Sequence, residues 1–189
     1  MSDIGIVIGS WGSYNECNER ALGSSWLDLS DYDSWEEIEE ELVKQGFELQ
    51  GIDEELFIQD IQGINFIQDI QGINCNGINC DYMHPKRLFE TLKESGVLDN
   101  KYKYEIMEAF LEVRCFDEFE DRVNLYRQNW DDDIYLYKNM DWYDIGYEFL
   151  HDCNNIPDHL DNYIDYERYG EELRYDGFEE YSNGIIEIR

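Results

Sequence analysis

Carboxylates are the most abundant reactive groups in this sequence, so the chemistry they support is the first to test. Asp31-Tyr32-Asp33 and Asp131-Asp132-Asp133 bring acids together at short spacing. A calcium loop of the helix–loop–helix kind needs oxygen ligands at positions 1, 3 and 5, a glycine at 6 and a bidentate glutamate at 12. Counting from Asp31, the fifth position is Trp35 and the sixth is Glu36, and the Asp131 run fails in the same way. Zinc fares no better: four residues separate Cys75 from Cys80, His151 and Cys153 are the other close pair, and no C-x-x-C or H-x-x-x-H knuckle occurs. A cysteine nucleophile at Cys17 or Cys115 would need a base from His84, His151 or His159, and no spacing unites them. Carboxylate pairs suited to glycoside hydrolysis are too numerous to single one out. No phosphate-binding or nucleophile-elbow glycine motif is present. The expectation is a chain with no catalytic residues, no metal site and no cofactor; a hydrolase built on a cysteine or a carboxylate pair ranks third among the readings.

What remains is the charge itself. The 189 residues hold 45 acids against 14 bases, a net charge of −31, together with 15 Tyr, 9 Phe and 5 Trp that argue for a folded interior. The charge argues against direct gripping of DNA or RNA phosphates, which needs clustered Lys and Arg and would here be opposed by repulsion. Residues 1–80 carry −15, residues 81–127 only −3, and residues 128–189 carry −13. A solubilising or halophilic surface is the plain reading. A sharper one follows from duplex geometry: at one charge per roughly 1.7 Å of axis, such a charge matches about 50 Å of DNA, and two chains about 100 Å. Small domains in line would spread the charge that far and relieve its self-repulsion. No apolar run approaches bilayer length, Met1-Ser2-Asp3-Ile4 lacks a signal-peptide pattern, and the five cysteines are scattered. A cytoplasmic protein with free thiols is expected.

The elements that would position these acids are legible as an α+β chain in three parts. In residues 1–80, Ile4, Ile6 and Ile8 mark a strand, Gly12-Ser13-Tyr14-Asn15 a turn, and Trp26-Leu27-Asp28-Leu29 a second strand. Ser34 opens a capping box ahead of Trp35, Ile38 and Leu42, and Phe57–Ile61 reads as a third strand, which completes a β-β-α-β unit. The segment FIQDIQGIN occurs twice in tandem, at 57–65 and 66–74, and Gly72-Ile73-Asn74-Cys75 recurs as Gly77-Ile78-Asn79-Cys80. Either copy suits the third strand, so one is expected in a protruding loop or hairpin. Residues 81–127 predict three short helices, the first running from Pro85 to Gly96. In residues 128–189, Ile134–Tyr137 predicts a strand, Asp141, Pro157 and Asp165 each open a helix, and Asn183-Gly184 turns a hairpin between Phe178–Tyr181 and Ile185–Ile188.

One run is specific enough to carry a family resemblance. Asn155-Ile156-Pro157-Asp158-His159-Leu160-Asp161-Asn162-Tyr163-Ile164-Asp165-Tyr166-Glu167-Arg168-Tyr169-Gly170-Glu171-Glu172-Leu173 resembles the antirestriction motif of the ArdA family, P-x-x-L-x-N-Y-I-D-Y-x-x-Y-x-x-x-L. Tyr14-Asn15 with Leu22-Gly23 and Trp26-Leu27-Asp28 is similar to the family's N-terminal segment, except that Glu16-Cys17-Asn18-Glu19 replaces an early glycine; Gly184–Ile188 matches its terminal strand. The resemblance implies an elongated three-domain DNA mimic, a homodimer carried by mobile elements. Such a protein occupies the DNA-binding groove of Type I restriction-modification enzymes and blocks cleavage and methylation without catalysis. It would place the mimic surface on Asp158, Asp161, Asp165, Glu167, Glu171 and Glu172, with Asp158–Asp161–Asp165 along one helical face if the segment is continuous. The first part would add Asp28, Asp31, Asp33, Glu36, Glu37, Glu40 and Glu41. The apolar stretch Ile134, Tyr135, Leu136, Tyr137 with Met140 is the expected dimer contact. The alternative from another class is an acidic module that binds a different basic DNA-binding protein or nuclease.

Overall fold

The computed structural model describes residues 4–64, 83–153, 156–157 and 159–189, with Cys153 known by its backbone alone. Asn65, the second FIQDIQGIN copy, the Gly77–Cys80 recurrence and Asp158 lie outside the described residues, and so does the expected loop or hairpin formed by one copy. The chain divides into two compact units, residues 1–128 and 129–189. Among the described residues it has seven α-helices and two three-stranded antiparallel sheets, an α+β fold.

The first unit is built around β1 (Gly5–Ser10), flanked by β2 (Leu27–Asp28) and β3 (Leu56–Gln62) in the order β2-β1-β3. Ile4, Ile6 and Ile8 are fully buried, as their alternation predicts, and the intervening Gly5 and Val7 are buried as well. Gly9 is glycine because Phe57 lies across it; a Cβ there would stand 2.5 Å from the ring. The first copy of the repeat therefore supplies β3. The stretch expected to turn at Gly12–Asn15 instead forms a short helix, α1 (Trp11–Glu16). Ser10 Oγ accepts the Ser13 N–H at 3.1 Å, and Cys17 closes the helix in the left-handed region at φ 51°.

α2 (Trp35–Lys44) is capped by Ser34, whose Oγ accepts the Glu37 N–H at 3.4 Å, while the Glu37 carboxylate accepts the Asp33 N–H at 2.8 Å. Trp35, Ile38 and Leu42 form its buried stripe, so Glu36, Glu37 and Glu40 face solvent while Glu39 and Glu41 flank the stripe half-exposed. The three expected helices follow: α3 (Pro85–Ser95), ended by Gly96 at φ 74°, α4 (Lys101–Val113), capped by Asn100, and α5 (Phe116–Tyr126). Leu88, Leu92, Ile106, Phe110 and Phe119 are buried between them. Arg87 of α3 bridges Asp117 and Glu120 of α5. That contact holds Glu120 below the usual carboxylate range against the opposing effect of burial.

The second unit has β4 (Ile134–Lys138), β5 (Phe178–Tyr181) and β6 (Gly184–Ile188) in the order β4-β6-β5. Tyr181 pairs with Gly184, so the hairpin loop is Ser182-Asn183, and the glycine, at φ 140°, starts β6 instead of sitting inside the turn. α6 (Trp142–Cys153) begins at Asp141, whose carboxylate accepts the Asp144 N–H at 3.0 Å. α7 (Tyr166–Glu172) begins at Asp165, which accepts the Arg168 N–H at 3.0 Å. The helix expected to open at Pro157 is not formed among the described residues. Asp161–Tyr163 is a single 3-10 turn, and Ile164, at φ −93° and ψ 130°, is extended and breaks the run before α7.

α6 and α7 meet backbone to backbone. A Cβ on Gly146 would lie 2.0 Å from the Tyr166 carbonyl oxygen, and one on Gly170 would lie 1.9 Å from that of Trp142. Neither obstacle is a flexible side chain, so the helices would have to part and loosen the core of Trp142, Ile145, Leu173, Phe178 and Ile185. Gly170→Ala is expected to lower stability by about 3 kcal/mol, the upper end for overpacking. A urea melt followed by circular dichroism reads this as a lower midpoint.

Candidate acidic interface

The nominated acids of the first unit sit on a 3-10 turn and on α2. Asp28 accepts the Ser30 N–H at 3.0 Å and caps the turn Leu29–Asp31 while staying exposed; Asp31 is exposed on the same turn. Asp33 is 93% exposed, and Lys93 Nζ reaches it at 3.1 Å. Glu36, Glu37 and Glu40 face solvent, and Glu41 is half-exposed. Hydrogen bonds from Gln45 and Lys44 hold the Glu41 carboxyl below its ordinary range. Glu39 also lies on α2 and accepts from Trp35 Nε1 at 2.7 Å. From Glu36 to Glu41 the helix rises about 7.5 Å, so its five glutamates stand one per 1.5 to 2 Å of axis, roughly the linear charge density of a duplex.

In the second unit the motif acids divide into two kinds. Glu167, Glu171 and Glu172 are exposed on α7, with Glu172 3.6 Å from Arg168. Asp165 is exposed but serves as the α7 N-cap, and Asp161 belongs to a side-chain cluster. The Tyr166 hydroxyl donates to Asp161 Oδ1 at 2.5 Å, and His151 Nε2 lies 3.1 Å from that hydroxyl and 3.3 Å from the carboxylate. Burial and the Asp161 carboxylate together push the Tyr166 phenol up to about 12. Because the chain breaks at Ile164, Asp161 and Asp165 do not continue one helical face; Asp158, the first acid of the expected row, lies outside the described residues.

Some relevant acids were missed. Asp141, Asp144, Glu148 and Asp152 are all exposed along α6 at helical spacing, a row that the apolar period of the same segment already implied. They lie beside Tyr143 and Tyr147, whose rings stack with centroids 6.4 Å apart. Two other acids point inward. Glu187 of β6 is 4% exposed and accepts from the Tyr137 hydroxyl at 2.9 Å and from Arg189 Nε at 2.5 Å. Asp53 is fully buried and accepts from Ser10 Oγ at 2.5 Å, from Ser13 Oγ, from the Glu48 N–H at 2.8 Å and from Arg20 Nε at 3.1 Å. Burial alone would raise the Asp53 pKa, but these donors overcome it and hold the carboxyl below its ordinary value.

The stretch nominated for self-association is mixed. Ile134 is fully buried, while Tyr137 and Met140 are half-buried against the core of their unit. Leu136 is half-buried, and Tyr135 is 39% exposed beneath the Arg189 guanidinium, 4.6 Å from its ring centroid. β4 is an edge strand that pairs only with β6 among the described residues.

Among the described residues no three His, Cys, Asp or Glu side chains stand together as a metal site, and no helix is long and apolar enough to cross a membrane. Cys17 and Cys115 are free thiols. No curated protein matches the sequence. The family model described as antirestriction protein (ArdA) matches residues 6–187, nearly the whole chain. With its motif on α7 and its terminal strand at β6, this chain belongs to the ArdA family of antirestriction proteins.

Proposed function

We propose that the chain is a non-enzymatic inhibitor that sets rows of carboxylates in the place of DNA phosphates and so occupies the DNA-binding groove of a Type I restriction-modification enzyme. The supporting observation is α2, where five glutamates crowd one short, well-capped helix at the charge density of a duplex while its apolar stripe is buried. The outward acids of α6 and α7 extend the same chemistry in the second unit. The protein acts in the cytoplasm, where its target works, and the target is met through a surface instead of a pocket. Cleavage and methylation fall together, since both need the same groove.

The inhibitor works as a homodimer, joined along the β4 edge with Tyr135 and Leu136 at the contact. Edge pairing satisfies backbone groups and needs little apolar area between two acidic chains. Sedimentation equilibrium should return twice the chain mass of 22.7 kDa.

The deciding experiment is competition. Purified protein should displace a labelled duplex from the methyltransferase core, and added DNA should restore methylation as the inhibitor is outcompeted. Between 0.05 and 0.5 M salt its apparent affinity should fall steeply, as charge-driven association does. Inhibition that excess DNA leaves untouched would place the protein elsewhere on the enzyme and end the mimic reading.

A further inference from the structure

α2 carries one residue that the exchange of carboxylates for phosphates leaves unexplained. Its outward positions Glu36, Glu37, Glu40 and Lys44 are charged, but Val43, between the last two, is 55% exposed. The helix closes in a Schellman turn: Gly46, at φ 92°, donates its N–H to the Val43 carbonyl at 3.0 Å, and Phe47 donates to that of Leu42 at 3.0 Å. Phe47 is left 4% exposed, and the loop that follows is held by the buried Asp53 carboxylate, which accepts the Glu48 N–H at 2.8 Å. Between helix and loop lies an open groove of about 800 Å³. Val43, Phe47 and the half-buried Leu49 are its apolar lining, and Glu36, Glu39, Glu40 and Glu48 its acidic lining. Lys44 also borders it, with its Nζ 3.3 Å from Glu41.

We infer that this groove receives an aliphatic side chain of the basic partner, flanked in the partner's own chain by arginine or lysine. For the partner's identity this rests on the mimic reading; to that reading it adds an apolar anchor, which a row of phosphates does not offer. Four acids and one base border the groove, and the base is already paired, so an aliphatic group with anionic neighbours is repelled and one with cationic neighbours is drawn in. A second copy of this chain, at −31, is disfavoured on the same ground. The length also suits such a segment. From Glu36 to Val43 the helix rises about 10.5 Å, the span of roughly three extended residues, which is one anchor with a cation on either side. The stems of those cations can lie along Val43 and Leu49 while their heads reach the glutamates. Both walls are fixed before binding, one by the Schellman turn and the other by Asp53, so little is lost to ordering the site. Salt screens the attraction of the acids but not the burial of the anchor, so the groove supplies affinity that persists at high salt.

Two peptides of equal charge, Arg-Arg-Leu-Leu-Arg-Arg and Arg-Arg-Ser-Ser-Arg-Arg, titrated into the full-length chain and followed by amide NMR shifts, test the inference. The leucine peptide should bind about 10-fold tighter, as partial burial of a leucine implies, and should shift the amides of Val43, Phe47 and Leu49. That ratio should hold as salt rises, while both affinities fall. Val43→Asn with Leu49→Asn should bring the two peptides to equal affinity, at the level of the serine peptide on the parent chain. Val43→Asn alone, at a position already exposed, should leave the fold intact and cut the ratio to about 3-fold. In the methylation assay the double variant should weaken inhibition by a factor that stays constant as salt rises. Equal affinity of both peptides for the parent chain, a preference that outlasts both substitutions, or inhibition that the double variant leaves unchanged would overturn the inference. The two readings fail separately. A parent chain that displaces duplex from the methyltransferase core but shows no leucine preference keeps the mimic and loses the groove; a leucine preference without displacement does the reverse.

Discussion

Asp53→Ala is expected to cost the first unit about 3 to 5 kcal/mol, the largest stability loss of any single acid in the described residues. The carboxylate gathers the end of β1 through Ser10, the turn of α1 through Ser13, the following loop through Arg20, and the approach to β3 through the Glu48 amide. Alanine would strand the buried Ser10 and Ser13 hydroxyls and remove the partner of the part-exposed Arg20 and of the Glu48 amide, and orphaned buried groups cost more than the bonds contributed. Asp53→Asn should be milder, at about 1 to 2 kcal/mol. Its carbonyl can still accept from Glu48 and Arg20, while its NH2 faces two hydroxyls able to accept in return. The pH dependence has a definite sign. The folded carboxyl titrates below its ordinary value, so its contribution is complete above the unfolded aspartate pKa of about 3.9 and drains away as pH falls from there through the folded value. Urea midpoints between pH 7 and pH 2.5 should fall less for Asp53→Asn than for the parent chain.

That network also marks the limit of what the sequence discloses. α2 was legible because its determinants are local: Ser34 caps, Trp35, Ile38 and Leu42 repeat at helical spacing, and nothing distant competes. Pro85 and Gly96 bracket α3 for the same reason, and the α+β class followed from such segments. α1 was not legible. Gly12-Ser13-Tyr14-Asn15 has the composition of a turn, and its helical form depends on an aspartate forty residues away in sequence. Among the described residues the helix expected from Pro157 is absent for the converse reason: local signals favour it, but Asp161 is drawn into the cluster with Tyr166 and His151, and the chain is extended at Ile164.

The candidate surface was legible unevenly as well. Residue type sends acids outward, which served for Glu36, Glu37, Glu40, Glu167 and Glu171 and failed for Asp53 and Glu187, whose partners come from other elements. The α6 row of Asp141, Asp144, Glu148 and Asp152 is readable from its period, although it lies outside the antirestriction motif. Asp161 and Asp165 matched that motif, but both have structural duties in α7 and the loop before it. Charge reversal at either would disturb folding together with any interface. A clean functional test therefore belongs on acids that hold nothing else in place.

Glu36, Glu37 and Glu40 come closest, and their joint replacement by glutamine is expected to weaken inhibition by about 10- to 150-fold. Each side chain is exposed and lies off the buried stripe of α2. Glutamine has nearly the helix propensity of glutamate, and at position 37 its carbonyl can still accept the Asp33 N–H, so thermal stability should change little. What is removed is charge. If each carboxylate contributes about 0.5 to 1 kcal/mol at a desolvated basic groove, three together give about 1.5 to 3 kcal/mol, which sets the stated range. The gap between parent and variant should narrow as salt shortens the screening length from about 10 Å at 0.1 M to about 3 Å at 1 M. Because a mimic spreads its grip over many groups, Glu167→Gln with Glu171→Gln on α7 should produce a further, roughly multiplicative loss in the same methylation assay. An inhibitor that worked through one essential residue would show no such gradation: the α2 variant would be as potent as the parent or wholly inert, and the α7 pair would add nothing.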